Sequence, residues 1–415
     1  MNHFVRRRGE LCCEGVPLAR IATEVGTPTY VYSTATLLRH ARVFRGALRG
    51  LDVLPCYAVK AAGNVAILAL LAREGFGFDI VSGGELFRAV RAGADPRRIV
   101  FSGVGKREDE LRAGLRAGIL QFNCESEEEL RQLDAVARSM RRRAPIALRV
   151  NPEVDARTHP YIATALATSK FGVPAARARE AFRTAAGLRG LEIAGLACHI
   201  GSQIGEVRPF TEAARKMRAL YDELRAAGHP LRHLDLGGGL GVPYGDGPDP
   251  ASPQQYGRAL RGALRGVDAR VLVEPGRLLV ANAGVLLTRI LLRKRGAGGR
   301  KFAVADAGMN DLVRPALYGA YHAVEPVGRP RPGSETVDLV GPVCESADVL
   351  AARRRLPPLE SGDLVVLRTA GAYGMSMSSQ YNARPRPAEV LVSGNRFRVV
   401  RRRETLSDLV RGETA

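Results

Sequence analysis

From about residue 51 to residue 284 the chain alternates short apolar runs with amphipathic stretches, and this rhythm restricts the fold more than any other feature. The apolar runs fall at 53–59, 77–81, 98–102, 119–123, 145–150, 192–198, 232–236 and 270–274. Helical patterns separate them, among them Asn64–Arg73, Gly84–Ala92 and Glu125–Met140. Apolar strands alternating with helices predict a parallel sheet covered on both faces. Eight such units within roughly 230 residues favour a closed (β/α)8 barrel of the TIM type over an open sheet.

Beyond residue 284 the rhythm changes. VLLTRILLRK, KFAVADAG, TVDLVG and DLVVLRTAGAY are β-rich segments joined by turns, which predicts an all-β domain. The strand-like stretch Thr29–Ser33 (TYVYS) precedes the barrel and can join that domain. The expected class is therefore α/β, a barrel over 34–283 with a mainly C-terminal β-sandwich or barrel-like domain built from 1–33 and 284–415.

A formal charge of +20 raises the question of nucleic-acid binding. Of 62 basic residues only Lys60, Lys106, Lys170, Lys216, Lys294 and Lys301 are lysines, and the arginines are scattered along helical stretches. Aromatic residues are 6% of the chain and Trp is absent, so the basic residues are not interleaved with stacking surfaces. No nucleic-acid partner is expected. Cys12, Cys13, Cys56, Cys124, Cys198 and Cys344 lack the spacing of a zinc site or a disulfide framework, and the seven histidines lack ligand spacing, so no metal is expected. The start, MNHFVRRRGELCCEG, has no apolar stretch of the secretion kind, and no run reaches the ~20 residues of a membrane helix. The expectation is a cytoplasmic protein without a membrane partner.

In a parallel barrel the active site lies at the C-terminal ends of the strands. Those ends carry Lys60, then Asp79 with Ser82-Gly83-Gly84, then His199-Ile200-Gly201-Ser202-Gln203, then Asp235-Leu236-Gly237-Gly238-Gly239, then Glu274-Pro275-Gly276-Arg277. Lys60 follows an apolar strand, where a lysine loses its charge more easily and becomes a competent Schiff-base amine. Taken alone it reads better as a lysine whose stem packs and whose head reaches water. The other strand ends reverse that preference. Gly237 to Gly239, with Gly276 and Arg277, offer bare amides and a guanidinium of the kind that binds phosphate after strands seven and eight, although either glycine cluster alone could be a tight turn. Glu274 ends an apolar strand, where a carboxylate is costly unless paired. A protonated pyridine nitrogen would pair it, and so would Arg277. His199 can stack on a ring or serve as a hydrogen-bonded structural residue.

These residues and their order resemble the diaminopimelate decarboxylases, within the alanine-racemase-like barrel class of pyridoxal-phosphate enzymes. The likeness runs nearly end to end: YAVKA at 57–61, FDIVSGGEL at 78–86, SKFG at 169–172, HIGSQ at 199–203, LDLGGGLG at 234–241 and EPGR at 274–277. It continues through DAGMNDLVRPALY at 306–318, VGPVCESADVL at 340–350 and GAYGMSMSSQYN at 371–382. The resemblance implies that Lys60 carries pyridoxal 5'-phosphate, with Asp79 beside it, His199 on the ring and Glu274 at the ring nitrogen. It implies that Ser202, Gly238, Gly239, Gly276 and Arg277 surround the phosphate, with Tyr373 closing over it. Arg277, Arg314 and Tyr318 resemble the residues that hold a distal carboxylate, and Glu345 the group that takes a distal amine. Tyr373 is grouped with them. Cys344 resembles the acid that reprotonates the α-carbon, supplied in the family by the partner subunit, so a homodimer sharing its active sites is implied. One departure is Ala62, where the family usually has asparagine, with Asn64 nearby.

The activity implied is decarboxylation of meso-diaminopimelate to L-lysine and carbon dioxide, a step of lysine synthesis. Related barrel decarboxylases act on ornithine, arginine, lysine, carboxynorspermidine or carrier-linked amino acids. Arg314 beside Arg277 favours a substrate with a second carboxylate, because a cation-tipped diamine would be repelled there. Glu345, directly after Cys344, points the same way. An amino-acid racemase of the same fold would need a second base and would lack the Cys-Glu-Ser segment. A binding homologue without activity has no use for Lys60, Cys344 and Glu274 together.

Overall fold

The computed structural model describes residues 2–155, 170–245 and 247–414. The chain divides into two compact units. One comprises Met1–His40, Pro243–Pro248 and Leu279–Ala415, the other Ala41–Val242 and Asp249–Leu278. No helix among the described residues is long and apolar enough to cross a membrane.

The second unit is a closed parallel barrel. Its strands are Val53–Ala58, Gly77–Ile80, Ile99–Phe101, Gln121–Cys124, Ala144–Asn151, Leu191–Ala197, His233–Asp235 and Arg270–Val273, each inside or within a residue of an expected apolar run. Each pairs in parallel with the next, and the eighth closes on the first through Val271 opposite Val53. A two-residue strand, Val173–Pro174, adds to the fifth. Closure removes the sheet edges and buries strands such as the first, whose Leu54 and Cys56 pack with Val100 and Leu272.

The helices start where short polar side chains can cap them. Asn64 accepts from the Ala66 amide at 2.9 Å and opens Val65–Arg73, while Ser82 accepts from Glu85 and opens Gly83–Arg91. Ser126 caps Glu127–Ser139, whose first turn carries three glutamates against the positive end of the helix dipole. Asn64 is therefore engaged as a cap, and at Ala62 the backbone carbonyl accepts from the Tyr57 hydroxyl at 3.1 Å. Within the SKFG segment, Ser169 lies outside the described residues.

The first unit is built on a mixed β-sheet. Thr29–Ser33 is buried at every position and sits between Gly284–Arg295, antiparallel, and Ala388–Ser393, parallel. Lys301–Ala305 and Leu364–Leu367 fall within the β-rich segments read from the sequence, and Glu335–Val340 begins one residue before the third of them. The reading did not anticipate a small antiparallel meander (Phe4–Arg7, Glu10–Cys13, Val16–Pro17) or the helix Leu18–Val25. These elements are short, and their apolar residues become a pattern only when Leu11, Cys13, Leu18 and Ile21 pack onto Val31, Val285 and Val390 of the sheet.

Candidate active site

The first barrel strand passes directly into a short turn, Val59–Ala61, which sets Lys60 just beyond the strand end. Lys60 Nζ lies 2.8 Å from Oδ2 of Asp79, a fully buried residue of the second strand. Ser102, Asn123 and Arg149, at or beside the C-terminal ends of the third, fourth and fifth strands, are all buried. Asn123 Nδ2 donates to Ser102 Oγ at 3.1 Å and to Asp235 Oδ2 at 3.0 Å, and Ser102 Oγ stands 3.5 Å from Glu274 Oε1. Arg149 pairs with Glu125 at 2.7 Å. The same end of the barrel thus buries Asp79, Asp235 and Glu274.

That arrangement is electrostatically unbalanced. Burial pushes Glu274 well above the ordinary carboxylate range, and the charges of Asp235 and Asp79 push it further, against the pull of Lys60 and Arg149. Burial raises Asp235 as well. Glu85, which accepts from the Val81 amide at 2.8 Å, is pushed up to about 7, chiefly by burial. Carboxylates removed from water in this way are stabilised by an added cation.

His199 follows the sixth strand. Its Nδ1 accepts the Gly238 amide at 3.1 Å and lies 4.0 Å from Glu274 Oε2. Burial, with Arg149 and Lys60 adding to it, holds the imidazole well below its usual value, so the ring is neutral and carries its proton on Nε2. The glycine loop is tied to its neighbours by backbone. The Glu274 amide donates to the Gly237 carbonyl at 2.7 Å, and the Ile204 amide donates to the Gly239 carbonyl at 2.9 Å. A Cβ on Gly238 would lie 2.0 Å from the Glu274 carbonyl oxygen. Gly239 has φ +115°, and a Cβ there would lie 2.3 Å from the Gly201 carbonyl oxygen. Gly239→Ala is therefore expected to cost about 1–3 kcal/mol and to separate the two loops. Its melting temperature and its retention of cofactor on gel filtration should both fall, and unchanged values would contradict the interlocked loops. Arg277 Nη2 donates to Ser202 Oγ at 3.0 Å, joining the loops after strands six and eight.

These residues suit a pyridoxal phosphate. Oδ1 of Asp79 is buried without a hydrogen-bond partner, and the three buried carboxylates leave room for one more positive charge, which a protonated ring nitrogen carries. The neutral His199 offers an uncharged face, and the loop amides with Ser202 and Arg277 offer phosphate donors. Of the residues expected to form the site, Lys60, Asp79, His199, Ser202, Gly238, Gly239, Glu274, Gly276 and Arg277 gather at this end of the barrel. Sequence reasoning passed over Ser102, Asn123, Glu125 and Arg149. The signal for three of them was a polar residue ending an apolar strand, and Arg149 was hidden among many arginines.

The remaining expected residues belong to the β-rich unit. Arg314 opens the helix Arg314–Tyr318 and is buried, so it is not a surface arginine. Cys344 is the exposed cysteine among the six, and its amide donates to Asn382 Oδ1 at 2.8 Å. Its loop is closed by the Asp348 carboxylate, which accepts the Val343 amide at 2.7 Å and the Met309 amide at 2.6 Å. Glu345 Oε2 lies 3.4 Å from the Tyr381 hydroxyl, and Tyr373 is held at φ +56°.

A closed parallel barrel with a lysine at its first strand end and glycine loops after its last strands defines a class, and residues 34–281 match the family model of the pyridoxal-dependent decarboxylase, pyridoxal binding domain. The chain is 51% identical to a diaminopimelate decarboxylase of Pseudomonas aeruginosa, covering 100% of this chain and 99% of that one. It is also 51% identical to one of Vibrio cholerae, over 99% and 98% of the two chains. The crystal structure of diaminopimelate decarboxylase from Helicobacter pylori in complex with L-lysine superposes with a TM-score of 0.91 at 41% identity, covering 95% of this chain and 98% of that one. The chain belongs to the diaminopimelate decarboxylase family of pyridoxal-dependent decarboxylases.

Proposed function

We propose that this chain decarboxylates meso-diaminopimelate to L-lysine and carbon dioxide with pyridoxal 5'-phosphate as cofactor. The observation that carries the reading is the Lys60–Asp79 pair set among the neutral His199 and the buried Glu274, in a chain half identical to diaminopimelate decarboxylases. When bound, the cofactor supplies an electron sink for the pair of electrons left as carbon dioxide departs. Lys60 holds the cofactor through its amine, and Asp79 keeps that amine in place. Glu274 holds a proton at the ring nitrogen, and His199 packs on the ring face without adding charge. Ser202, Gly238, Gly239, Gly276 and Arg277 receive the phosphate, with Tyr373 beside it.

The distal end of the substrate is assigned to Arg277, Arg314 and Tyr318 for the carboxylate and to Glu345 for the amine. Cys344 returns a proton to the α-carbon. In this reading a second copy of the chain supplies Cys344 and Glu345, so the working form is a cytoplasmic homodimer serving lysine synthesis. The test is carbon dioxide release from meso-diaminopimelate, ornithine, arginine and lysine, run beside the sedimentation mass of the active species. Turnover of meso-diaminopimelate by a dimer is expected. Release from only an amino acid lacking the distal carboxylate would overturn the substrate assignment, racemisation without carbon dioxide would overturn the reaction, and a fully active monomer would overturn the shared site.

A further inference from the structure

We propose that His322 and Tyr244 are positioning residues that aim the Arg314 guanidinium. The inference rests on the reading that Arg314 receives the distal carboxylate of the substrate. His322 is fully buried. The helix Arg314–Tyr318 stops at Gly319, at φ +60°, where the Gly319 amide bonds to the Pro315 carbonyl and the Ala320 amide to the Arg314 carbonyl. That turn returns the chain on itself, so that His322 Nε2 comes within 3.0 Å of Arg314 Nη1.

The direction of this hydrogen bond follows from the partner on the other side of the ring. His322 Nδ1 lies 2.8 Å from the Arg368 carbonyl oxygen. A carbonyl can only accept, so Nδ1 carries the proton. The ring is then neutral with Nε2 as acceptor, and the guanidinium donates to it. The anchoring carbonyl is itself fixed, since the Arg368 amide donates to the Ala323 carbonyl at 2.8 Å and Arg368 Nε donates to Glu325 at 2.9 Å. Tyr244 supplies the second constraint. Its ring has the Arg314 guanidinium 4.8 Å from its centroid and stands edge-on to His322 at 5.5 Å and 87°.

One edge and one face of the guanidinium are thus held before any substrate arrives. A carboxylate is gripped bidentately only when the plane of the fork is correctly turned, and fixing that plane in advance removes the entropy an arginine side chain would otherwise lose on binding. The position of His322 would then act on the affinity for a substrate with a distal carboxylate and leave the bond-breaking step alone.

Two amides separate this role from a structural one. In His322→Asn the amide reaches the position of Nδ1 and can still donate to the Arg368 carbonyl, but nothing stands at Nε2. In His322→Gln an oxygen reaches the Nε2 position and can accept from Arg314. For His322→Asn the KM for meso-diaminopimelate is expected to rise about tenfold with kcat within about twofold, while His322→Gln stays within about threefold of the parent. Inhibition by L-lysine, the product, which keeps the distal carboxylate and has lost the one at the reacting carbon, should weaken in parallel with the KM in His322→Asn and stay within about threefold of the parent in His322→Gln. In an Arg314→Met background, His322→Asn should add nothing further, as for two residues acting through one contact.

If Arg314→Met leaves the KM unchanged, the reading of Arg314 fails and the inference goes with it. If Arg314→Met raises the KM and His322→Asn does not, Arg314 stands and the positioning role is overturned. A His322→Asn variant in which kcat falls along with the rise in KM, or in which the KM rises while lysine inhibition is unchanged, is also contrary to it. Should that variant not fold, Tyr244→Leu must by itself raise the KM at least about threefold at constant kcat, and no change there overturns the proposal.

Discussion

Lys60→Ala is expected to lower decarboxylation by roughly 10⁴-fold or more and to leave no cofactor that borohydride can trap on the protein. Lys60 Nζ stands 2.8 Å from Asp79, at the end of a strand whose preceding residues are buried. Lys106, a buried lysine of the barrel, donates to Glu129 and to the carbonyls of Gly103 and Asn123, so it cannot take over. Lys60→Arg should be as inactive as alanine although it can keep the ion pair with Asp79, because a guanidinium does not release its proton to become a nucleophile. The comparison therefore separates covalent attachment from charge pairing. Reduction with borohydride followed by mass analysis of the peptide containing residue 60 is the direct measurement. Trapped cofactor and turnover surviving in the alanine variant would refute the assignment.

Glu274→Gln is expected to lower kcat about 10²- to 10³-fold with little change in KM, as when one preorganised electrostatic partner of the reacting group is removed. The stability of the cofactor-free protein should respond in the opposite sense. Burial, Asp235 and Asp79 raise the folded pKa of Glu274 above its ordinary 4.5, so its contribution to stability is complete below that value and is lost as pH rises through the raised one. Asp235 acts in the same sense from 3.8, and Glu85 reaches about 7. The melting temperature of the cofactor-free protein should therefore decline as pH rises from near 4.5 past 7. Bound cofactor, which places a proton-bearing nitrogen opposite the carboxylate, should protect more at the upper end of that window. In Glu274→Gln the decline should be shallower. A steeper decline, or a kcat within about tenfold of the parent, would remove Glu274 from the ring nitrogen.

The barrel was legible because its signals are local. Alternation of apolar runs with amphipathic stretches depends on periods of two and 3.6 residues, and each of the eight strands lies where that pattern placed it. The sheet of the other unit was legible in part. Thr29–Ser33 reads as a strand by its β-branched and aromatic residues, whereas the meander of the first seventeen residues is too short to show a period. Lys60, His199, Glu274 and the glycine loops were legible through their positions at strand ends, and Cys344, Glu345 and Arg314 through resemblance to a family.

Other parts of the site arise only when the chain folds. Arg149 among many arginines has no distinguishing neighbour in sequence, and its pairing with Glu125 exists because the fourth strand lies beside the fifth. His322 looked like any isolated histidine until the turn at Gly319 returned it to Arg314. Sequence alone determined the barrel strands, the helical stretches between them and which side chains end those strands, since these follow from local backbone preference and apolar period. Tertiary structure decided which of those side chains share a space closed to water. Once Asp79, Asp235 and Glu274 lose their hydration together, their charges no longer act through water, and only then does the site call for the cation that a pyridoxal cofactor brings.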